Sequence, residues 1–222
     1  LVGCAGNIEH DHIVDSITTL FGEAPAGLPV PEVEAPNGTR VGHDAVSRST
    51  TQTHLVLARA TPAYGDPIRV VLGLISGAFG GGMSSRLFQK IREELGLAYA
   101  IFSFQTFYSR AGNAGVYVGT RPETADRTLE TILSEYRSLC ENSLSQQELD
   151  EAKSQASGQL VLAMESTGAR LLRAMGFALR GEPYRSLDDS LGRIESVTME
   201  QVTDACKRYF DPEDQYVLSL GP

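Results

Sequence analysis

The chain has 222 residues, 41% of them hydrophobic and 21% charged, which is typical of a globular protein with a sizeable core. Its formal net charge of -9 and the lack of a long apolar run lead us to expect no nucleic-acid partner and no membrane. The three cysteines, Cys4, Cys140 and Cys206, are odd in number and far apart, which predicts reduced, buried thiols and no disulfide frame.

The first 22 residues predict a strand followed by a helix. Leu1–Ala5 is a short apolar run, and apolar positions recur at helical spacing from Glu9 until Gly22 ends the pattern. The chain starts without Met and without a signal-like pattern, so we interpret it as a piece of a longer chain whose N-terminal part is missing. A targeting signal would lie in that part, and cytoplasmic localisation is the default expectation.

A proline-rich stretch follows at residues 23–39. Four prolines exclude a helix there and favour an extended connector: Pro25, Pro29, Pro31 and Pro36. We interpret this stretch as a linker, and residues 40–222 as one C-terminal domain.

The C-terminal domain alternates strand and helix patterns. Strands are predicted at Arg40–Ser47, Gln52–Ala60, Leu97–Phe107, Gly115–Thr120 and Tyr216–Leu220. Helices are predicted at Asp66–Phe79, Ser84–Leu95, Pro122–Leu139, Ser145–Met164, Thr167–Arg180, Asp188–Ile194 and Thr198–Tyr209. Ser145 and Glu148 have capping-box spacing. The order predicts an α+β fold: a two-layer sandwich of an antiparallel-rich mixed sheet with helices on one face.

A glycine cluster at residues 77–84 almost matches a phosphate-binding P-loop. Met83 occupies the position of the lysine that contacts the phosphates, so the pattern lacks its main cation. A nucleotide-binding module is therefore an alternative that rests on the glycines alone. The structural interpretation is that small residues let two helices meet at a sharp angle with close backbone approach.

The histidines offer no zinc motif. His10 and His12 are two residues apart in a predicted helix and would point in different directions, while His43 and His54 stand singly in strand patterns. Neither H-x-x-E-H nor H-E-x-x-H is present. We therefore expect this chain to bind no zinc by itself.

The stretch GGGMSSRLFQKIREELGLAYAIFSF resembles the pitrilysin/insulinase superfamily of zinc peptidases, particularly its bacterial processing-peptidase branch. The resemblance is to the second of two homologous halves, and it implies that residues 1–22 are the trailing strand and helix of the missing N-terminal half and that residues 23–39 are the linker between the halves. It continues through QTHLVLA, MESTGARLLRAMGFALRGEPY and IESVTMEQVTDACKRYF, and so covers essentially the whole chain.

The resemblance implies a clamshell that closes on an extended peptide, with zinc and a glutamate base in the N-terminal half of the same protein. The second half supplies an arginine and a tyrosine seven residues apart, which correspond to Arg92 and Tyr99 as catalytic and substrate-binding residues. Gly81 and Gly82 are implied to bind substrate, because they lie where the non-catalytic processing subunit has a longer, glycine-rich loop that takes part in substrate handling. The loop is short here, as in catalytic members, which favours a peptidase. Arg86 is a candidate for packing or orientation. A peptide substrate and a homodimer are the further implied partners.

A physical argument supports the arginine–tyrosine pair. Gly96 turns the chain between the helix that carries Arg92 and the strand that carries Tyr99, so the two side chains can reach one spot. Together they could stabilise negative charge on a peptide oxygen. The alternatives are a surface arginine and a half-buried strand tyrosine. At the level of the protein, the alternative is a non-catalytic subunit of processing-peptidase or respiratory core-protein type.

Overall fold

The computed structural model describes residues 1–25, 27, 33–36 and 38–222, and these form an α+β fold. The strands are β1 Gly42–Ser47, β2 Thr53–Thr61, β3 Ala98–Phe107, β4 Gly112–Thr120 and β5 Tyr216–Gly221. The α-helices are α1 His10–Phe21, α2 Ile68–Gly80, α3 Ala125–Asn142, α4 Gln146–Ala163, α5 Thr167–Leu179, α6 Leu187–Glu195 and α7 Met199–Tyr209. A π-helix spans Phe88–Glu94.

The five strands make one mixed sheet in the order β1-β5-β2-β4-β3. β1 and β5 are parallel, whereas the other three neighbouring pairs are antiparallel. The predicted fold class, an antiparallel-rich mixed sheet with a helical layer, is confirmed.

The core lies between the sheet and the helices. Leu55 and Leu57 of β2 are buried, while the residues that alternate with them remain partly exposed, as expected for a sheet with one covered face. Phe79 of α2 packs edge-on against Tyr136 of α3, with ring centroids 5.0 Å apart. Phe210 completes this aromatic cluster at 6.0 Å from both rings.

The N-terminal segment departs from the prediction. Leu1–Ala5 is not a strand and pairs with no strand of the described residues, so that prediction is wrong. It lies against α5 instead: a Cβ added to Gly3 would lie only 2.6 Å from the Sδ atom of Met175. The predicted helix is confirmed as α1, although none of its residues is buried.

Other expectations are met in part. All three cysteines are free, but only Cys206 is buried; Cys4 is exposed and Cys140 is intermediate.

Two of the linker prolines, Pro29 and Pro31, lie outside the described residues. The boundaries at 22 and 39 stay predictions. In the described part of the chain, none of the helices combines the length and the hydropathy needed to cross a bilayer.

Candidate functional site

The π-helix positions Arg92. The sequence predicts a helix over Ser84–Leu95; the chain is helical over 86–94, and Phe88–Glu94 has π geometry. Its last turn is closed by a hydrogen bond from the Leu95 amide to the Lys90 carbonyl oxygen, at 3.2 Å. Ile91 is fully buried and anchors the element, so that Arg92 follows directly on an anchored residue.

Tyr99 lies at an irregularity of the sheet. Gly96 has a φ angle of +57°, a left-handed conformation that favours glycine, and it turns the chain into β3. The β3–β4 register then shifts between Ala98 and Ala100, which leaves Tyr99 without a partner across the ladder. A β-bulge of this kind re-aims a side chain, and Tyr99 is 77% exposed.

Arg92 and Tyr99 are in direct contact. Nη1 of Arg92 donates a hydrogen bond to the Tyr99 carbonyl oxygen at 2.9 Å. The Arg92 guanidinium carbon lies 4.7 Å from the ring centroids of both Tyr99 and Phe88, within cation–π range. Nε of Arg92 is 3.7 Å from Oε1 of Glu93. Among the described residues nothing hydrogen-bonds the Tyr99 hydroxyl, so it is available to a ligand.

A pocket of about 390 Å³ opens beside this pair. Its lining comes from the end of the π-helix, the start of β3, the residue before β2, and the end of β4 with the residue after it: Gln52, Arg92, Glu93, Gly96, Leu97, Ala98, Tyr99, Gly119, Thr120 and Arg121. Sequence reasoning missed Gln52, Gly119 and Arg121. They reach the pocket through the pairing of β4 with β2 and β3, which no local pattern specifies.

Gly119 connects the pocket with an aromatic part of the sheet. A Cβ at Gly119 would lie 3.3 Å from the Tyr117 hydroxyl oxygen and 3.5 Å from Oε1 of Gln52. The Tyr117 hydroxyl is 2.7 Å from Nδ1 of His54, and the Tyr117 ring is 5.0 Å from that of Phe102. The missing side chain therefore keeps the pocket open toward polar and aromatic groups.

The glycine cluster lies elsewhere. Gly81 caps α2 through a hydrogen bond to the Gly77 carbonyl oxygen, and it lines a separate groove of about 260 Å³ between α2, β3 and α4. A Cβ at Gly82 would have Nε2 of Gln155 at 3.5 Å. Neither glycine joins the pocket of Arg92 and Tyr99, and their substrate-binding role stays a prediction. The close backbone approach that the sequence predicts for this cluster is found at Gly80. It is made to strand β3 at Ser103, and not to a second helix as predicted.

The context of the glycines does not suit a P-loop. That motif needs a strand before the glycines, whereas here they end the helix α2. Met83, in the position of the lysine, is 75% exposed and contributes no cation.

The histidines do not assemble a metal centre. His10 and His12 lie on the exposed helix α1, and Nε2 of His43 is 3.2 Å from the Ser219 hydroxyl. Within the ranges that the structure describes, no group of three or more His, Cys, Asp or Glu side chains could hold a metal ion. These residues therefore do not fit a zinc site.

Comparison with known proteins defines the family. The family model described as "Peptidase M16 inactive domain" matches residues 2–156. The chain belongs to the peptidase M16 family, and the resemblance to the C-terminal half of pitrilysin-type zinc peptidases is confirmed.

Curated relatives carry the name uncharacterized zinc protease. One from Streptomyces coelicolor is 35% identical over 211 residues, covering 91% of this chain and 46% of the relative. One from Bacillus subtilis is 30% identical over 225 residues, covering 99% of this chain and 53% of the relative. The chain thus spans about half the length of the curated relatives it matches.

Solved structures share the fold. A peptidase M16 inactive domain from Pseudomonas fluorescens superposes with a TM-score of 0.86 at 23% identity, covering 98% of this chain and 52% of that one. A protease from Helicobacter pylori gives a TM-score of 0.86 at 17% identity, covering 98% and 54%.

Proposed function

We propose that this chain is the substrate-holding half of a zinc endopeptidase that cleaves peptides or unstructured segments. The observation that carries the proposal is the contact between Arg92 and Tyr99 at the mouth of a pocket. A cation and a free phenol side by side suit the carbonyl oxygen of a bound peptide, where negative charge develops during hydrolysis.

The two residues have different tasks in this proposal. Arg92 is held by the Tyr99 carbonyl oxygen and by two aromatic rings, so its guanidinium is already oriented before substrate binds. The Tyr99 hydroxyl is the free donor, presented by the bulge. Preorganised donors stabilise a transition state without a reorganisation cost at the moment of reaction.

Zinc would come from outside this chain. The relatives of Streptomyces coelicolor and Bacillus subtilis are named zinc proteases, and about half of their length lies beyond the match. Because the described residues here offer no metal site, we assign the zinc ligands and the general base to an N-terminal half of the same protein.

That N-terminal half would dock on α1 and the segment before it. α1 has no buried residue, and apolar side chains such as Leu20 and Phe21 are 73% and 60% exposed. Although Leu1–Ala5 lies against α5, these exposed apolar side chains of α1 lack a cover within the described chain. The proposal includes a homodimer of such two-half proteins.

The test is zinc-dependent proteolysis by the full-length protein. We expect it to cleave unstructured peptides, to lose activity with a chelator and to regain it with zinc. The 222-residue chain, expressed separately, should neither bind zinc stoichiometrically nor cleave. Cleavage by the separate chain, or chelator-resistant cleavage by the full-length protein, would refute the assignment.

A non-catalytic subunit is the second candidate. The matching family model is described as an inactive domain, and a chain of complex III2 from Candida albicans shares the fold with a TM-score of 0.76 at 18% identity. In that case the full-length protein would show no zinc-dependent cleavage and would be isolated in a stable assembly with other subunits.

A further inference from the structure

The pocket beside Arg92 and Tyr99 has an uncompensated positive charge. Its lining contains two arginines, Arg92 and Arg121, and one acidic side chain, Glu93, in the described residues. Oε1 of Glu93 lies 3.7 Å from Nε of Arg92, so the Glu93 carboxylate offsets the charge of Arg92. The Arg121 guanidinium has no ion pair and no hydrogen bond within the described ranges. The chain as a whole has a net charge of -9, so the charge of this pocket is opposite in sign to that of the chain.

The backbone around Arg121 is fixed on both sides. The Thr120 hydroxyl donates a hydrogen bond to the Leu97 carbonyl oxygen at 2.6 Å, which ties the end of β4 to the turn that follows Gly96. Pro122 then starts a short 3₁₀ helix over Pro122–Thr124. The side chain of Arg121 therefore extends from a rigid base at the rim of the pocket, although its own tip is exposed.

The other pocket residues suit a small anionic group. Gln52 contributes an amide that can donate hydrogen bonds, and Gly119 leaves space where any side chain would meet the Tyr117 hydroxyl. A guanidinium binds a planar carboxylate through two parallel N–H donors. The volume of about 390 Å³ leaves room for an amino-acid side chain.

From this geometry we propose that the pocket binds a carboxylate of the peptide, with Arg121 as the residue that determines this specificity. The inference rests on the proposed function for the idea that the ligand is a peptide. The carboxylate belongs either to an aspartate or glutamate side chain or to the C-terminus, since both present the same two oxygens.

The test is a binding measurement on the full-length protein in the presence of a chelator, so that cleavage cannot interfere. Fluorescently labelled peptides are compared in pairs that differ only by Asp or Asn, or Glu or Gln, scanned along the sequence. Each peptide is made with a free and with an amidated C-terminus. The variants are Arg121→Gln, Arg121→Lys and, as a charge-matched control, Arg127→Gln, which removes an exposed arginine outside the pocket lining.

We expect the wild type to bind the peptide with the recognised carboxylate about fivefold more tightly than the peptide with the corresponding amide, as suits an exposed charge pair. Arg121→Gln should abolish the preference, Arg121→Lys should retain part of it, and Arg127→Gln should leave it intact. A preference for Asp over Asn or for Glu over Gln identifies a side-chain carboxylate, and a preference for the free over the amidated C-terminus identifies the terminal carboxylate.

Two results would overturn the proposal: no preference for either kind of carboxylate over its amide in the wild type, or an undiminished preference in Arg121→Gln. The outcome is separable from that of the proposed function. A carboxylate preference without zinc-dependent cleavage supports the pocket and refutes the peptidase, whereas cleavage without a carboxylate preference does the reverse.

Discussion

Arg86 and Glu148 form a bidentate ion pair that connects two parts of the chain 62 residues apart. Nη2 of Arg86 donates to Oε2 of Glu148 at 2.7 Å and to the Ser143 carbonyl oxygen at 2.9 Å, and Nε donates to Oε1 of Glu148. Glu148 also accepts hydrogen bonds from the amide and the hydroxyl of Ser145 and so closes the capping box of α4. One carboxylate thus connects the start of the π-helix segment with the turn between α3 and α4.

Removing this connection should destabilise the fold. Arg86→Ala leaves Glu148 and the Ser143 carbonyl oxygen without their partner, and both side chains of the pair are less than a third exposed. We expect a loss of about 2 kcal/mol in the free energy of unfolding, below the value for a fully buried pair. Urea denaturation of the 222-residue chain measures it. Arg137→Ala, an exposed arginine on α3, is the control, and equal losses in both variants would contradict the expectation.

The same pair predicts an acid-sensitive stability. The hydrogen bond from Arg86 is the main reason that the pKa of Glu148 falls from 4.5 to about 2. Because the folded-state pKa is the lower one, the contribution is complete above about pH 4.5 and is lost as the pH falls through about 2. Denaturation midpoints at several pH values should decline more steeply for the wild type than for Glu148→Gln over this range. Parallel curves would show that another group controls the acid response.

Replacing two glycines of α2 by alanine should change the stability of the protein in opposite directions. A Cβ at Gly80 would lie 2.8 Å from the Ser103 amide nitrogen of β3, whereas a Cβ at Gly77 would have nothing within 4 Å. Gly80→Ala should therefore cost about 1–3 kcal/mol through overpacking. Gly77→Ala should gain about 0.5–1 kcal/mol from helix propensity. Thermal unfolding of both variants tests the pair, and a stabilising Gly80→Ala would show that α2 does not approach β3 so closely.

Arg92 and Tyr99 should affect turnover more than stability. If the full-length protein cleaves peptides, Arg92→Ala should lower kcat/KM by about 10²-fold or more, the scale of a lost transition-state donor. Tyr99→Phe keeps the ring under the guanidinium and removes only the hydroxyl, so its smaller loss isolates the donor. Lys90→Ala, in the same helix, should remain near wild type. Unchanged kcat/KM in both site variants would remove these residues from the mechanism.

The sequence predicts the elements of this fold better than their contacts. Helix α4 begins where the Ser145–Glu148 spacing places it, because a capping box is a local interaction. The strand predicted at Leu1–Ala5 is wrong because strand formation depends on a neighbour, and an apolar run does not specify one. The fold class follows from element order and is less sensitive to such errors.

The site could be predicted only where it depends on local spacing. Arg92 and Tyr99 are seven residues apart with Gly96 between them, and the structure brings them into contact. Arg121 directly follows β4 and reaches the pocket because β4 pairs with β3. This pairing is a long-range relationship that the residues next to Arg121 in the sequence do not reveal. The bulge at Tyr99 likewise arises from register and not from residue type.

The π geometry of Phe88–Glu94 lets this segment absorb a change in its length. A π turn accommodates one residue more than an α turn, so deleting a single residue there would restore α geometry. The side chains on either side of the deletion would keep their directions, because the residue that is lost is the extra one of the π turn. In a regular α-helix the same deletion would rotate every later side chain by about 100° relative to those before it. The contact between Arg92 and the Tyr99 ring therefore tolerates the loss of one residue in this segment better than it would on a regular helix.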